Sequence, residues 1–197
     1  MREVTTTTTH YTFQELTPEV QATVIENYRY SILNYEWYEP TIDTITEILS
    51  MIGVDEANIR FSGFSSQGDG AHFEGRYEYK PGSLTTIKTE FPTYTELHQI
   101  VTRLQELQRP NFYKLCAIVK HSGHYQHEMC TDIDVHTNNG DEVTHEVDTE
   151  LTEILREFMR WSYQLLESEY DYLTSDEQVR ESMINNEDEF LIDGTLV

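Results

Sequence analysis

Cysteine is nearly absent from this chain of 197 residues: Cys116 and Cys130 are its two examples. Two are too few for a disulfide framework, and both are expected to be reduced thiols. No run of about eighteen apolar residues occurs, so no membrane-spanning helix is expected. The opening MREVTTTTTHYTF has no apolar stretch behind its arginine, which argues against a signal for export. Basic residues are scarce, with 13 Lys and Arg against 36 Asp and Glu for a net charge of -23. Phosphates repel such a surface, so DNA, RNA and anionic lipid are excluded as direct partners and a basic protein is favoured. Neither a Walker sequence, an HExxH motif nor a serine-centred elbow is present. No catalytic residue, cofactor or metal is therefore assigned.

What the chain does contain is helical and strand periodicity. Thr17-Pro18-Glu19 reads as a helix start, and Val20, Val24, Tyr28 and Ile32 carry that helix to about Tyr35. Pro40 opens a second, with Ile42, Ile45, Ile48, Leu49 and Ile52 on one stripe and Gly53 as its stop. A third runs from about Thr93 to Pro110. A long fourth runs from about Val143 to Glu169, with Val147, Leu151, Ile154, Leu155, Phe158, Trp161 and Leu165 inward. Thr174-Ser175-Asp176-Glu177 starts one more.

Two stretches alternate with period 2. In RFSGFSSQGDGAHFEGRY, a turn centred on Gly68 puts Ile59, Phe61, Phe73 and Tyr77 on one face, and Arg60, Ser62, His72, Glu74 and Arg76 on the wet one. In YKLCAIVKHSGHYQHEMCTDIDVHT, a turn centred on Gly123 puts Leu115, Ala117, Val119, His121, His127, Ile133 and Val135 on one face. Lys114, Cys116, Glu128, Cys130 and Asp132 then take the other, and Cys116 lies opposite Cys130. Two hairpins with one apolar face each predict an α+β domain of about four antiparallel strands, packed by helices on one face, with a long acidic C-terminal helix. The expected organisation is a flexible stub at 1–12, a single domain at 13–173, and a short acidic helix and tail at 174–197.

The segments SGFSSQGDGAHFEG, HSGHYQHE and YDYLTSDEQVRESMINNEDEFLIDG resemble a group of small tailed-phage accessory proteins without assigned function. That resemblance implies a viral protein acting in the cytoplasm of an infected bacterium. It hands over no catalytic residues.

Three groups of residues are candidates for function. Ser65 to Gly70 can form a backbone nest for an anion, or a plain turn closed by Asp69. His121, His124 and His127 beside Glu128 have the side chains of a metal site. The predicted register sends His127 and Glu128 to opposite faces, favouring a hydrogen-bonded lid over the core. Residues 146–193 hold fifteen acids against three arginines, and Glu146, Glu150, Glu153 and Glu157 fall in one line along the fourth helix. That line predicts a partner-binding surface for a basic host factor, such as a nucleic-acid-processing or defence enzyme, with carboxylates standing in for a phosphate backbone. A solvated face that keeps the protein soluble is its bland counterpart. The alternative function is small-ligand binding, as a nucleotide sponge or a metal-dependent phosphodiesterase. It would use Ser66, Gln67, Asp69, His72, His124 and His127 at the two hairpin tips.

Overall fold

The structure, a computed structural model, describes residues 7–197. In chain order the elements are β1 (Tyr11–Thr12), α1 (Pro18–Tyr28), α2 (Glu39–Ile52), β2 (Val54–Phe61), β3 (Ala71–Glu78), α3 (Ser83–Glu90), α4 (Thr95–Gln108), β4 (Leu115–His121), β5 (Thr131–Thr137), α5 (His145–Leu173), α6 (Asp176–Asn185) and β6 (Glu189–Phe190). Short 3-10 turns occupy Phe13–Glu15, Ser31–Asn34 and Glu128–Cys130. The fold is α+β, with a four-stranded antiparallel sheet ordered β2-β3-β4-β5 and a separate pairing of β1 with β6. Two compact units result: a central one over Tyr38–Glu167, and a flanking one formed by the chain through Trp37 together with Ser168–Val197.

In the central unit, one face of the sheet and three helix stripes close on a common core. Phe73, Tyr77, Leu115, Ala117 and Val119 meet Ile45, Ile48 and Leu49 of α2, Leu97, Ile100 and Leu104 of α4, and Leu151, Leu155 and Phe158 of α5. These are the stripes that helical spacing predicts. Gly53 ends α2 in the left-handed conformation, φ +99°. One polar side chain sits inside this core. Gln108 is fully buried, and its amide donates to Tyr77 Oη at 3.0 Å and to the Leu115 carbonyl at 2.8 Å, while its Oε1 accepts from Leu115 N at 3.1 Å. Every polar atom of that amide is satisfied, so its burial is tolerated.

Several expected boundaries move. The first helix stops at Tyr28, where Arg29 turns its guanidinium to Asp176 and the Thr174 carbonyl. Ser83–Glu90, SLTTIKTE, is a helix that the periodicity did not announce, because threonine-rich sequence has weak helical preference and Ile87 is its one buried apolar residue. The first hairpin pairs Ile59 with Phe73 and Phe61 with Ala71, so it is centred on Ser66, two residues before Gly68. Moving a turn's centre by whole residues changes the pairing by an even number, so the faces are unchanged. In the second hairpin Leu115 pairs with Thr137 and His121 with Thr131, which centres it on Gln126. Cys116 therefore lies opposite His136, and Cys130 ends a 3-10 turn; both cysteines are free thiols. Burial and the carboxylate of Glu78 push the Cys116 thiol above its ordinary pKa, making it a poor nucleophile.

The flanking unit has its own small core of Phe13, Leu16, Val24, Ile25, Val179, Met183 and Phe190. Residues 1–6 of the expected terminal stub lie outside the described residues, whereas Tyr11 and Thr12 pair with Phe190 and Glu189. Ser175 caps α6 through its side chain, which accepts from Gln178 N.

Candidate functional site

Because β2 and β4 both run antiparallel to β3, they point the same way, and the loops that follow them emerge at the same end of the sheet. The loops also touch. A Cβ at Gly70 would lie 3.0 Å from His127 Cδ2 and 3.1 Å from the Gln126 carbonyl oxygen, and one at Gly68 would lie 3.1 Å from Tyr125 Cδ1. Glycine at 68 and 70 is thus what lets the second loop lie on the first.

Within the first loop the nest is filled from inside. Ser65 N and Ser66 N both donate to Asp69 Oδ2, at 3.0 and 2.7 Å, and Asp69 N donates back to the Ser66 carbonyl at 3.0 Å. These donors hold the Asp69 carboxyl below the usual aspartate range. An external anion would have to displace the carboxylate, so the geometry is that of a self-closed turn. Ser66 and Gln67 stand exposed at its tip. Asp69→Ala is expected to lower the melting temperature, and Asp69→Asn, which keeps an acceptor oxygen, to restore most of it. An alanine variant melting like the wild type would mean that the carboxylate does not hold the loop.

Beneath the loops lies His72. The alternation placed it on the wet face, but it is 1 % exposed, with its ring stacked on His121 at 4.4 Å between centroids and 10° between planes. The β3–β4 ladder ends at Gly75 and Val119, and beyond it the Glu74 carboxylate accepts from His121 N at 3.1 Å. Regular pairing of β3 with β4 stops there, and the two imidazoles stack beyond it. Glu128, also expected on the wet face, is buried, with its carboxylate 2.9 Å from His127 Nδ1 and 3.4 Å from Arg160. His124 remains exposed against Tyr125.

Among the described residues, the buried side-chain polar atoms without a hydrogen-bond partner are His72 Nδ1 and Nε2, Gln126 Oε1 and Arg156 Nε. Arg156 also donates to the Thr131 carbonyl, where β5 begins, so all of them belong to this end of the sheet. No three His, Cys, Asp or Glu side chains among the described residues come together as metal ligands. Beside the tips, Tyr38, Ile59, Arg60, Phe61 and Gln126 line a shallow cleft of about 310 Å³.

The acidic line of α5 is largely spoken for within the molecule. Glu150 meets Arg103 at 2.8 Å, Glu157 meets the same guanidinium, and Glu153 meets Arg160 at 2.5 Å; Glu146 is exposed. The flanking unit is different. It has fourteen Asp and Glu against three Arg, a net of -11 in 67 residues. Glu177, Glu181 and Glu187 are exposed there and form no ion pair among the described residues. It also holds a partly open pocket of about 130 Å³.

A family model of a domain of unknown function, DUF8835, matches residues 37–176, and the chain belongs to that family. Nothing among the curated proteins and nothing among the solved structures matches it.

Proposed function

We propose that this member of the DUF8835 family is a phage-encoded accessory protein that binds and inhibits a basic host protein, and that it carries out no reaction of its own. The observation that carries the proposal is the net charge of -23 together with its density in the flanking unit, -11 in 67 residues against -12 in the other 130. Arg103 and Arg160 engage three of the four acids in the α5 line, so those carboxylates serve α5 first. Glu177 and Glu181, one helical turn apart on α6, and Glu187 beyond it have no such partner among the described residues, and the recognition surface is assigned to them. Unscreened carboxylates attract a basic partner over roughly 10 Å at moderate salt, which favours a nucleic-acid-processing or defence enzyme whose substrate groove is basic. The phage origin rests on the three segments quoted above.

Two triple variants test this reading. Glu177→Gln, Glu181→Gln and Glu187→Gln together are expected to weaken capture of a basic host protein by about ten-fold at low salt while leaving the melting temperature in place. Glu150→Gln, Glu153→Gln and Glu157→Gln together are expected to lower the melting temperature and to alter affinity less. Undiminished capture by the first triple variant, or no basic protein recovered from host lysate at low salt, would sink the proposal.

One observation favours a second reading: the hairpin tips meet, and unpartnered polar atoms belong to Gln126 in the second tip and to His72 in β3. With Arg60 and the aromatic rings of Tyr38 and Phe61 in the adjoining cleft, a nucleotide is the ligand class this end of the sheet would suit. The metal-dependent branch of that reading has no ligand set among the described residues to support it. A nucleotide that raised the melting temperature would favour the tips over the acidic surface.

A further inference from the structure

We infer that the partly open pocket of the flanking unit receives one arginine side chain, presented by the basic partner; this deepens the reading above and rests on it. The cavity lies between α1 and α6, and Tyr28, Ile32, Val179 and Met183 give it apolar walls, with Asn186 and Asp188 beside them. Its volume of about 130 Å³ sets the scale of the occupant. Sites for whole nucleotides or cofactors run to roughly 300 Å³ and more, whereas a cavity near 150 Å³ takes something the size of benzene. One side chain fits that scale.

The chemistry of the lining selects which side chain. Apolar walls suit the three methylenes of an arginine, which lie along apolar surface while the guanidinium seeks oxygen atoms. Asp188 supplies them. Its backbone N–H donates to the Met183 carbonyl at 3.1 Å, while its carboxylate has no hydrogen bond or ion pair among the described residues. Partial burial raises the pKa of that carboxyl, and nothing nearby offsets the rise. A cation brought to Asp188 would supply the missing offset. Asn186 uses its Nδ2 to donate to Ser182 Oγ at 3.4 Å, which leaves its Oδ1 as a second acceptor for the planar fork of the guanidinium.

Arg29 also lines the cavity, and its charge is already engaged. It meets Asp176 at 2.6 Å and Glu26 at 3.1 Å, and it donates to the Thr174 carbonyl at 2.7 Å. Glu26 and Asp176, which hold Arg29, lie outside the lining, so Asp188 is the one lining carboxylate and it has no cation of its own.

The test uses the whole chain and N-acetyl-arginine N-methylamide as probe. Titration followed by NMR is expected to move the methyl signals of Met183, Val179 and Ile32 with a dissociation constant in the millimolar range, as befits a single side chain. N-acetyl-leucine N-methylamide should leave them unmoved. Asp188→Asn is expected to weaken the arginine probe about ten-fold, and Ser182→Phe, which plugs the cavity from α6, to abolish binding with the fold retained. No movement of these signals, or equal response in the Asp188→Asn variant, would overturn the pocket. Because the probe is read without any partner, failure here leaves capture of a basic protein standing, and failure of that capture leaves the probe result standing.

Discussion

Alanine at position 53 is expected to cost about 3 kcal/mol or more and to lower the melting temperature by about 10 °C. Gly53 ends α2 with φ +99°, a conformation in which a side chain costs about 1–2 kcal/mol by itself. The larger part comes from what surrounds it. A Cβ there would stand 2.0 Å from the Glu78 carbonyl oxygen, and Glu78 N donates to the Gly53 carbonyl at 2.8 Å. Backbone faces backbone, so relief requires the end of β3 to move away from α2 and β2. Gly140 makes the natural control: its φ is +82°, and a Cβ there meets nothing within 4 Å. Gly140→Ala should therefore lose only the conformational part, about 1 kcal/mol. Urea denaturation of both variants separates the two contributions. Equal losses would mean that the close approach to Glu78 is not what requires glycine.

The second large effect is a loss of stability in mild acid that His72 controls. Burial first, and the neighbouring His121 second, hold the His72 pKa down to about 4, against about 6.5 for an exposed histidine. The folded protein therefore keeps this ring neutral, and the unfolded chain binds the proton more readily between those two values. Stability linked to His72 is complete above about pH 6.5 and declines as the pH falls toward 4, by on the order of 2–3 kcal/mol. Below pH 4 both states are protonated and this contribution falls no further. Denaturation midpoints at pH 7.5, 5.5 and 4.5 should drop more steeply for the wild type than for His72→Phe, which keeps an aromatic ring on His121 and has nothing to titrate. Parallel slopes would show that the carboxylates alone set the acid response.

The helices of the central unit were legible because burial there follows one period. Ile45, Ile48, Leu49 and Ile52, or Leu151, Ile154, Leu155 and Phe158, can be read from spacing alone, and the structure buries them all. Strand faces were legible for the same reason, and they survived a register shift because it was an even one. His72 was not legible. Its ring is stacked against His121 from the neighbouring strand, and His121 N in turn donates to the Glu74 carboxylate. No local pattern records a contact between residues 47 positions apart. Gln108 was invisible for a similar reason, since an amide reads as surface until its three partners are known. The ion pairs of Glu150, Glu153 and Glu157 were hidden in part. Glu153 and Arg160 stand two turns apart on one helix and could have been matched, whereas Arg103 belongs to α4. Conversely, the plain-turn alternative for SSQGDG needed only residues within the loop, and Asp69 does close it locally. The cavity beside Asp188 had no signal in the sequence, because its walls come from opposite ends of the chain.

That last fact bears on how the molecule is made. β1 pairs with β6, and His10 meets Glu189 across 179 positions of sequence. The central unit, Tyr38–Glu167, is the middle of the chain, so the ribosome adds all of it before it adds Val179, Met183 or Phe190. The N-terminal segment meanwhile has the apolar side chains of Phe13, Leu16, Val24 and Ile25 and no Phe190, Val179 or Met183 to bury them against. For that interval, at translation rates of about 5–20 residues per second, it is exposed to chaperones and proteases for seconds. The flanking unit can thus close only after its second segment has been made, and a chain cut short before residue 179 would keep an apolar arm with nothing to bury it.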